Sequence, residues 1–133
     1  MSSSAARHAA ELIYAGEIRF GPPYYRLAID GRDIDGRLFG APLAWSDDGR
    51  LLAAQEWIGT SAHPGPVTRA LLIDADLQMA AALRVVESGF AEQFRFIGGS
   101  FVYCKRYGAS GRIEEVEVAL DAIRNWQRLT WRA

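Results

Sequence analysis

Three carboxylates fall within six residues in the run Asp30-Gly-Arg-Asp33-Ile-Asp35-Gly36, the density at which a calcium loop gathers its oxygen ligands. An EF-hand would also need an acid where Gly31 stands and a glutamate where Pro42 stands, so the run reads instead as a solvated hairpin turn with an acidic surface. The two histidines are equally poor in partners. His8 lies near the N-terminus and His63 in a proline loop, without the ligand spacing of a zinc site or the partners of a nucleophilic triad. Cys104 follows Tyr103 and precedes Lys105 and Arg106. Adjacent cations lower a thiol pKa, yet the mid-strand position fits a buried structural cysteine. Glu114 and Glu115 are neighbours in a strand pattern and point to opposite faces, so they cannot jointly flank a bond. Apart from the Gly98-Gly99 pair the glycines stand singly, with no phosphate loop, nucleophile elbow or dinucleotide fingerprint. The expectation is a chain without catalytic residues, cofactor or metal.

The elements that would carry these residues are mostly strands, because short aromatic and branched runs are cut every eight to twelve positions by glycine, proline or Asx turns. Tyr24 to Asp30 alternates, with Tyr25, Leu27 and Ile29 on one face, and Ile34 to Phe39 is its expected hairpin partner. Arg50 to Ile58 is apolar on both faces in its first half (Leu51, Leu52, Ala53, Ala54), the mark of a central strand. Gly59 to Pro66 holds too many ladder breakers to be other than a loop. Val67 to Ile73 is a further strand, and Leu77 to Val86 suits a helix by its alanines and a strand by its Leu-Arg-Val-Val end, with strand preferred. Gln93 to Ile97 and Ser100 to Tyr107 flank Gly98-Gly99, which suggests a type I′ hairpin with positive φ at both glycines. Glu114 to Leu120 alternates with Val116, Val118 and Leu120 on one face and Glu115 and Glu117 on the other. Asp121 to Trp131 fits a last strand or a short helix, and Ser4 to Tyr14 a short helix or a frayed end.

These elements imply one mainly β domain over residues 1–133, an antiparallel meander forming an open sheet or sandwich of hairpins. The charges on Glu115, Glu117, Lys105 and Arg106 are of the kind that discourages edge-to-edge pairing. A chain of 133 residues that is 50% hydrophobic and 23% charged can bury a core without a staple. Its single cysteine excludes an internal disulfide, and the N-terminal residues lack the apolar run of a signal peptide, so a cytoplasmic setting is expected. With a net charge of −1 and interleaved signs there is no basic footprint for nucleic acid, and no run reaches membrane-spanning length. Lys105 is the only lysine among 15 basic residues, a bias that reflects either genomic composition or a surface suited to bidentate pairing.

The run PLAWSDDGRLLA, Pro42 to Ala53, resembles the signature of TolB-type β-propeller blades, Trp-Ser-Pro-Asp-Gly-Arg followed by an apolar strand, with Asp47 where the family has proline. The resemblance implies a tight turn at Asp-Gly and a tryptophan packed between strands. A closed propeller needs at least four blades of about forty residues, so the implication is propeller-blade-like hairpins in an open arrangement. GRLLAAQEW (Gly49 to Trp57) and GSFVYCKRY (Gly99 to Tyr107) form a faint internal repeat at an offset of 50 residues.

Four tryptophans, five tyrosines and six phenylalanines, several beside loops, supply both core and interface anchors. In size, compartment and lack of catalytic motifs the chain resembles the small cytosolic immunity proteins that neutralise bacterial toxins. That resemblance implies a protein partner, a toxin domain, met by acidic loops: Asp30, Asp33 and Asp35 in one, Asp47 and Asp48 in another, with Trp57 as an aromatic anchor. A small-ligand or sensor domain with an aromatic-lined pocket is the alternative, an enzyme of unrecognised type the third, and a homodimer through a β-edge fits all three.

Overall fold

The computed structural model describes residues 7–18, 21–59, 66–108 and 110–133. His63 and most of the Gly59 to Pro66 loop lie outside the described residues.

The described chain is mainly antiparallel strand. β1 (Ala10–Glu17), β2 (Pro23–Ile29), β3 (Arg32–Asp33), β4 (Leu38–Trp45), β5 (Leu51–Gly59), β6 (Val67–Asp74), β7 (Met79–Ala82) and β8 (Val86–Glu87) lead into β9 (Gly89–Ile97), β10 (Ser100–Tyr107) and β11 (Ile113–Ala119). A 3-10 turn (Leu120–Ala122) and the short β12 (Gln127–Arg128) complete it. The large sheet has the order β12-β7-β6-β5-β4-β2-β1, with β3 paired to β2 and β8 to β6, and the small sheet is β9-β10-β11. Both are open, in line with an open sheet or sandwich.

Period 2 along β5 and β6 builds two cores from one ladder. Leu52, Ala54, Leu71 and Ile73 face the first, where the large sheet curls around Leu27, Ile34, Phe39 and Leu129. Ala53, Ala70 and Leu72 face the second, beneath the small sheet, whose Phe101 and Tyr103 fill the space. The alanines let those rings approach, so small residues on the large sheet meet large ones on the small sheet, as close packing requires. Both faces are therefore dry where Leu52 to Ala54 pair with Leu71 to Ile73, which is why the first half of β5 alternates so weakly. Leu27, Leu52, Leu71, Leu72 and Ile73 are fully buried, each worth roughly 1.5–3 kcal/mol of transfer free energy.

Several expectations change. The segment Ser4 to Tyr14, read as a short helix or frayed end, turns to strand from Ala10 as part of β1 along β2, with Leu12 opposite Leu27, because that pairing packs Leu12 against the first core. The partner of β2 in its hairpin is the two-residue β3, and the chain then returns as β4, pairing Phe39 with Tyr25. Leu77 to Val86 is split into β7 and β8, which pair with opposite ends of β6. The Gly98-Gly99 hairpin forms, joining Ile97 to Ser100, but only Gly98 takes positive φ (59°), so the turn is not type I′. Lys105 and Arg106 sit on β10, the central strand of its sheet, so they guard no edge; Glu115 and Glu117 lie on the edge strand β11.

The C-terminal segment realises parts of both alternatives: a 3-10 turn, then β12 beside β7. It continues past the sheet's last strand to tie that end back to the β2–β3 hairpin. Trp131 bridges Ile34, the Asp35 N–H donates to the Thr130 carbonyl (2.8 Å), and the Arg132 N–H donates to that of Asp33 (2.9 Å). The Arg32 guanidinium lies 4.5 Å above the Trp131 ring, adding a cation–π contact. No helix among the described residues is long and apolar enough to cross a membrane.

Candidate functional site: an acid-rimmed cleft at one end of the β5–β6 ladder

Antiparallel pairing places the start of β5 beside the end of β6, with Leu51 opposite Asp74. The turn before β5 (Asp47, Asp48, Gly49) and the turn after β6 (Ala75, Asp76) thereby meet, although 24 residues separate Arg50 from Asp74. The first turn is closed by its own side chains. Asp48 accepts from the Ser46 hydroxyl (2.6 Å) and from the Arg50 N–H (3.1 Å), and Gly49 takes the positive φ (72°) the reversal requires. The Ser46 hydroxyl first, then the Arg50 N–H, holds the Asp48 carboxyl below its ordinary pKa.

Asp74 is 3% exposed and fully occupied. One oxygen takes Nε (2.9 Å) and Nη2 (2.6 Å) of Arg50, and the other takes the Leu77 N–H (3.0 Å). Both Arg50 bonds are charge-assisted, and their shared acceptor locks the guanidinium in place. Over this pair opens a cleft of about 510 Å³. Leu51, Leu77, Met79, Leu120 and Trp126 give it apolar walls, while Asp48, Asp121 and Arg50 supply polar groups and Asp74 lies buried beneath. Leu77 is 59% exposed, a large apolar side chain held at the mouth.

Just outside the rim the N-terminal segment is fastened by a second charged cluster. His8 bonds Asp30 through Nδ1 (2.7 Å) and Asp76 through Nε2 (2.7 Å), and Arg7 pairs with Asp76 and reaches the Asp48 carbonyl. The His8 ring lies nearly parallel to Trp45, 6.3 Å between centroids. The Asp76 hydrogen bond, then that of Asp30, raises the His8 pKa above 6.5 against a smaller opposing effect of burial. Burial pushes Asp30 upward, but the His8 bond and the Ala9 N–H outweigh it and leave the carboxyl low; the His8 bond likewise lowers Asp76.

The residues picked from the sequence are scattered by the fold. Asp48 lines the cleft and Asp47 is exposed beside it. Asp30 is engaged by His8 and by the Ala9 N–H (2.9 Å). Asp33 is paired with Arg26 and, at 4.0 Å, with Arg132, while Asp35 borders a different cleft at the far end of the ladder. Trp57 is 4% exposed: its Nε1 donates to Gln55 Oε1 (2.9 Å) and its ring meets Tyr24 and Phe90, so it packs inside. A Cβ on Gly40 would stand 2.0 Å from Gln55 Oε1 and 2.5 Å from Trp57 Nε1, so this approach requires glycine. Cys104 is buried, with its thiol 3.5 Å from Gln93 Oε1.

Sequence reasoning missed Arg50, Asp74, Leu77 and Asp121. The usable signal was the pairing of two strands each bounded by aspartates, since any antiparallel hairpin of β5 with β6 brings the Asp47-Asp48 turn to the Asp74-Ala-Asp76 turn. Among the described residues no group of three or more His, Cys, Asp or Glu side chains is placed to hold a metal ion. No protein-family model matches the chain, nor does any curated protein or solved structure at a significant level.

Proposed function

We propose that the protein is a non-catalytic module that binds another protein through the acid-rimmed cleft, taking a basic segment with an apolar anchor, in the manner of an immunity protein capping a basic toxin. The observation that carries this reading is the composition of the cleft: an exposed Leu77 and the faces of Met79, Leu120 and Trp126 beside the carboxylates of Asp48 and Asp121, with Asp74 neutralised beneath them by Arg50. An apolar anchor flanked by carboxylates suits an arginine- or lysine-bearing partner, with the charges steering encounter and the apolar walls slowing release. The cleft's carboxylates that form bonds serve as a turn cap and an ion-pair partner, which favours binding over proton transfer. The aromatic-lined pocket of the ligand-binding alternative has less support, since the Tyr24, Trp57 and Phe90 rings pack on one another beside a space of about 190 Å³, below the roughly 300–1,000 Å³ typical of small-molecule sites.

The test is parallel affinity capture from native lysate with the wild-type chain, Leu77→Asp and Asp121→Lys. Both positions are exposed, so the variants are expected to fold with stability within about 0.5 kcal/mol of wild type. The expected result is one stoichiometric, basic partner held by the wild type and lost by both variants. Equal recovery by all three, or no stoichiometric partner, would overturn the proposal.

A further inference from the structure

At the opposite end of the same ladder, Glu56 lies across from Arg69 and is 4% exposed. Its oxygens are divided between two arginines, Oε2 accepting from Arg37 Nη1 (2.8 Å) and Oε1 from Arg69 Nε (2.8 Å). A guanidinium carries five N–H donors, and Glu56 takes one from each, so most donors of both groups stay uncommitted to it while their planes are held in place. Arg128, on β12, brings a third guanidinium to the same space and forms no ion pair among the described residues. Together with Asp35, Gly36 and Thr130 these side chains enclose an open cleft of about 320 Å³ that has no hydrophobic side chain in its lining.

We propose that this cleft binds a phosphate group, free or esterified, gripped by Arg37, Arg69 and Arg128. Three features of the cleft favour a phosphate. Arginine forks match the oxygens of a phosphate and bind it in charge-assisted pairs. Here a buried carboxylate has already fixed two of the three forks, so little side-chain freedom remains to be lost on binding. The lining carries three guanidiniums against two carboxylates, Glu56 and Asp35, and has no wall against which an apolar ligand would gain anything. Asp35 sits at the exposed rim, where a carboxylate accepts from a hydroxyl of the phosphate's carrier and opposes a second anion. The site lies on different residues from the acidic cleft and does not depend on the role proposed there.

Calorimetric titration of the full chain at low salt, with inorganic phosphate, glycerol phosphate and acetate as separate probes, tests it. The expected result is saturable binding of one equivalent of phosphate, weakened about tenfold or more by Arg128→Ala, whose exposed side chain forms no ion pair among the described residues, and unchanged by Arg84→Ala as a surface control. Equal affinity for the two phosphates would identify a free-ion site, and a tenfold preference for the ester would identify a site that also reads the carrier. Absence of saturable phosphate binding, acetate binding as tightly as phosphate, or an Arg128→Ala chain that binds like wild type would overturn the assignment.

Discussion

The two ends of the β5–β6 ladder use one device to opposite effect. Each buries a carboxylate beneath arginine, Asp74 at 3% exposure and Glu56 at 4%. They are separated by five residues of β5 from Leu51 to Glu56, which at about 3.4 Å per residue is roughly 17 Å. At the Asp74 end one arginine and one backbone N–H satisfy the acid, the neighbours are apolar, and further aspartates leave the rim negative. At the Glu56 end two arginines share the acid, a third stands by, and the surroundings are polar. A buried acid thus has no fixed meaning: the number of arginines recruited to it decides whether the surface above attracts cations or anions.

That contrast predicts unequal costs when the arginines are removed. In Arg37→Ala/Arg69→Ala, Glu56 would lose both side-chain partners, and stranding a buried charge costs about 3–5 kcal/mol. In Arg50→Ala, Asp74 would keep the Leu77 N–H, so the loss should be smaller, about 1.5–3 kcal/mol. Denaturant unfolding of both variants measures the difference directly. Equal costs would show that the two ends are the same device after all.

The sequence disclosed the strands bounded by strong turns and little of what depends on distant partners. Asp47-Asp48-Gly49 and Gly98-Gly99 mark their hairpins locally, because turn chemistry is written within four residues. β1 could not be read so easily, since its strand state comes from pairing with β2, and β4 is interrupted by Pro42, where the register to β5 shifts. Two of the acidic residues chosen for a partner are answered inside the fold. Asp30 is answered by His8 and Asp33 by Arg26 and Arg132, and only the fold reveals which carboxylates stay at a cleft. Trp57 was misplaced for a related reason: an aromatic near a loop reads as surface, whereas β5 carries it between Tyr24 and Phe90.

The smallest predicted effect sharpens the comparison through pH. Only the acidic end has a histidine among the described residues, and His8 there joins Asp30 to Asp76. Because its folded pKa is raised above 6.5, the stability it contributes is fully present below 6.5 and is lost as pH rises through the folded value. Asp30 and Asp76, lowered from 3.8, contribute above that value and lose their contribution as pH falls through their folded values. The N-terminal segment should therefore be held most firmly between the folded values of the aspartates and that of His8, and should loosen above it. Nuclear magnetic resonance of the His8 ring is expected to give a midpoint above 6.5 that falls in Asp76→Asn, while the Ala9 amide, which donates to Asp30, should lose exchange protection beyond the same midpoint after correction for the intrinsic rise with pH. Corrected protection around Glu56 and Arg69, where arginine replaces histidine, should stay flat across that range. A midpoint at or below 6.5, or parallel changes at both ends, would mean that the histidine clasp adds nothing to the acidic end that arginine does not provide at the other.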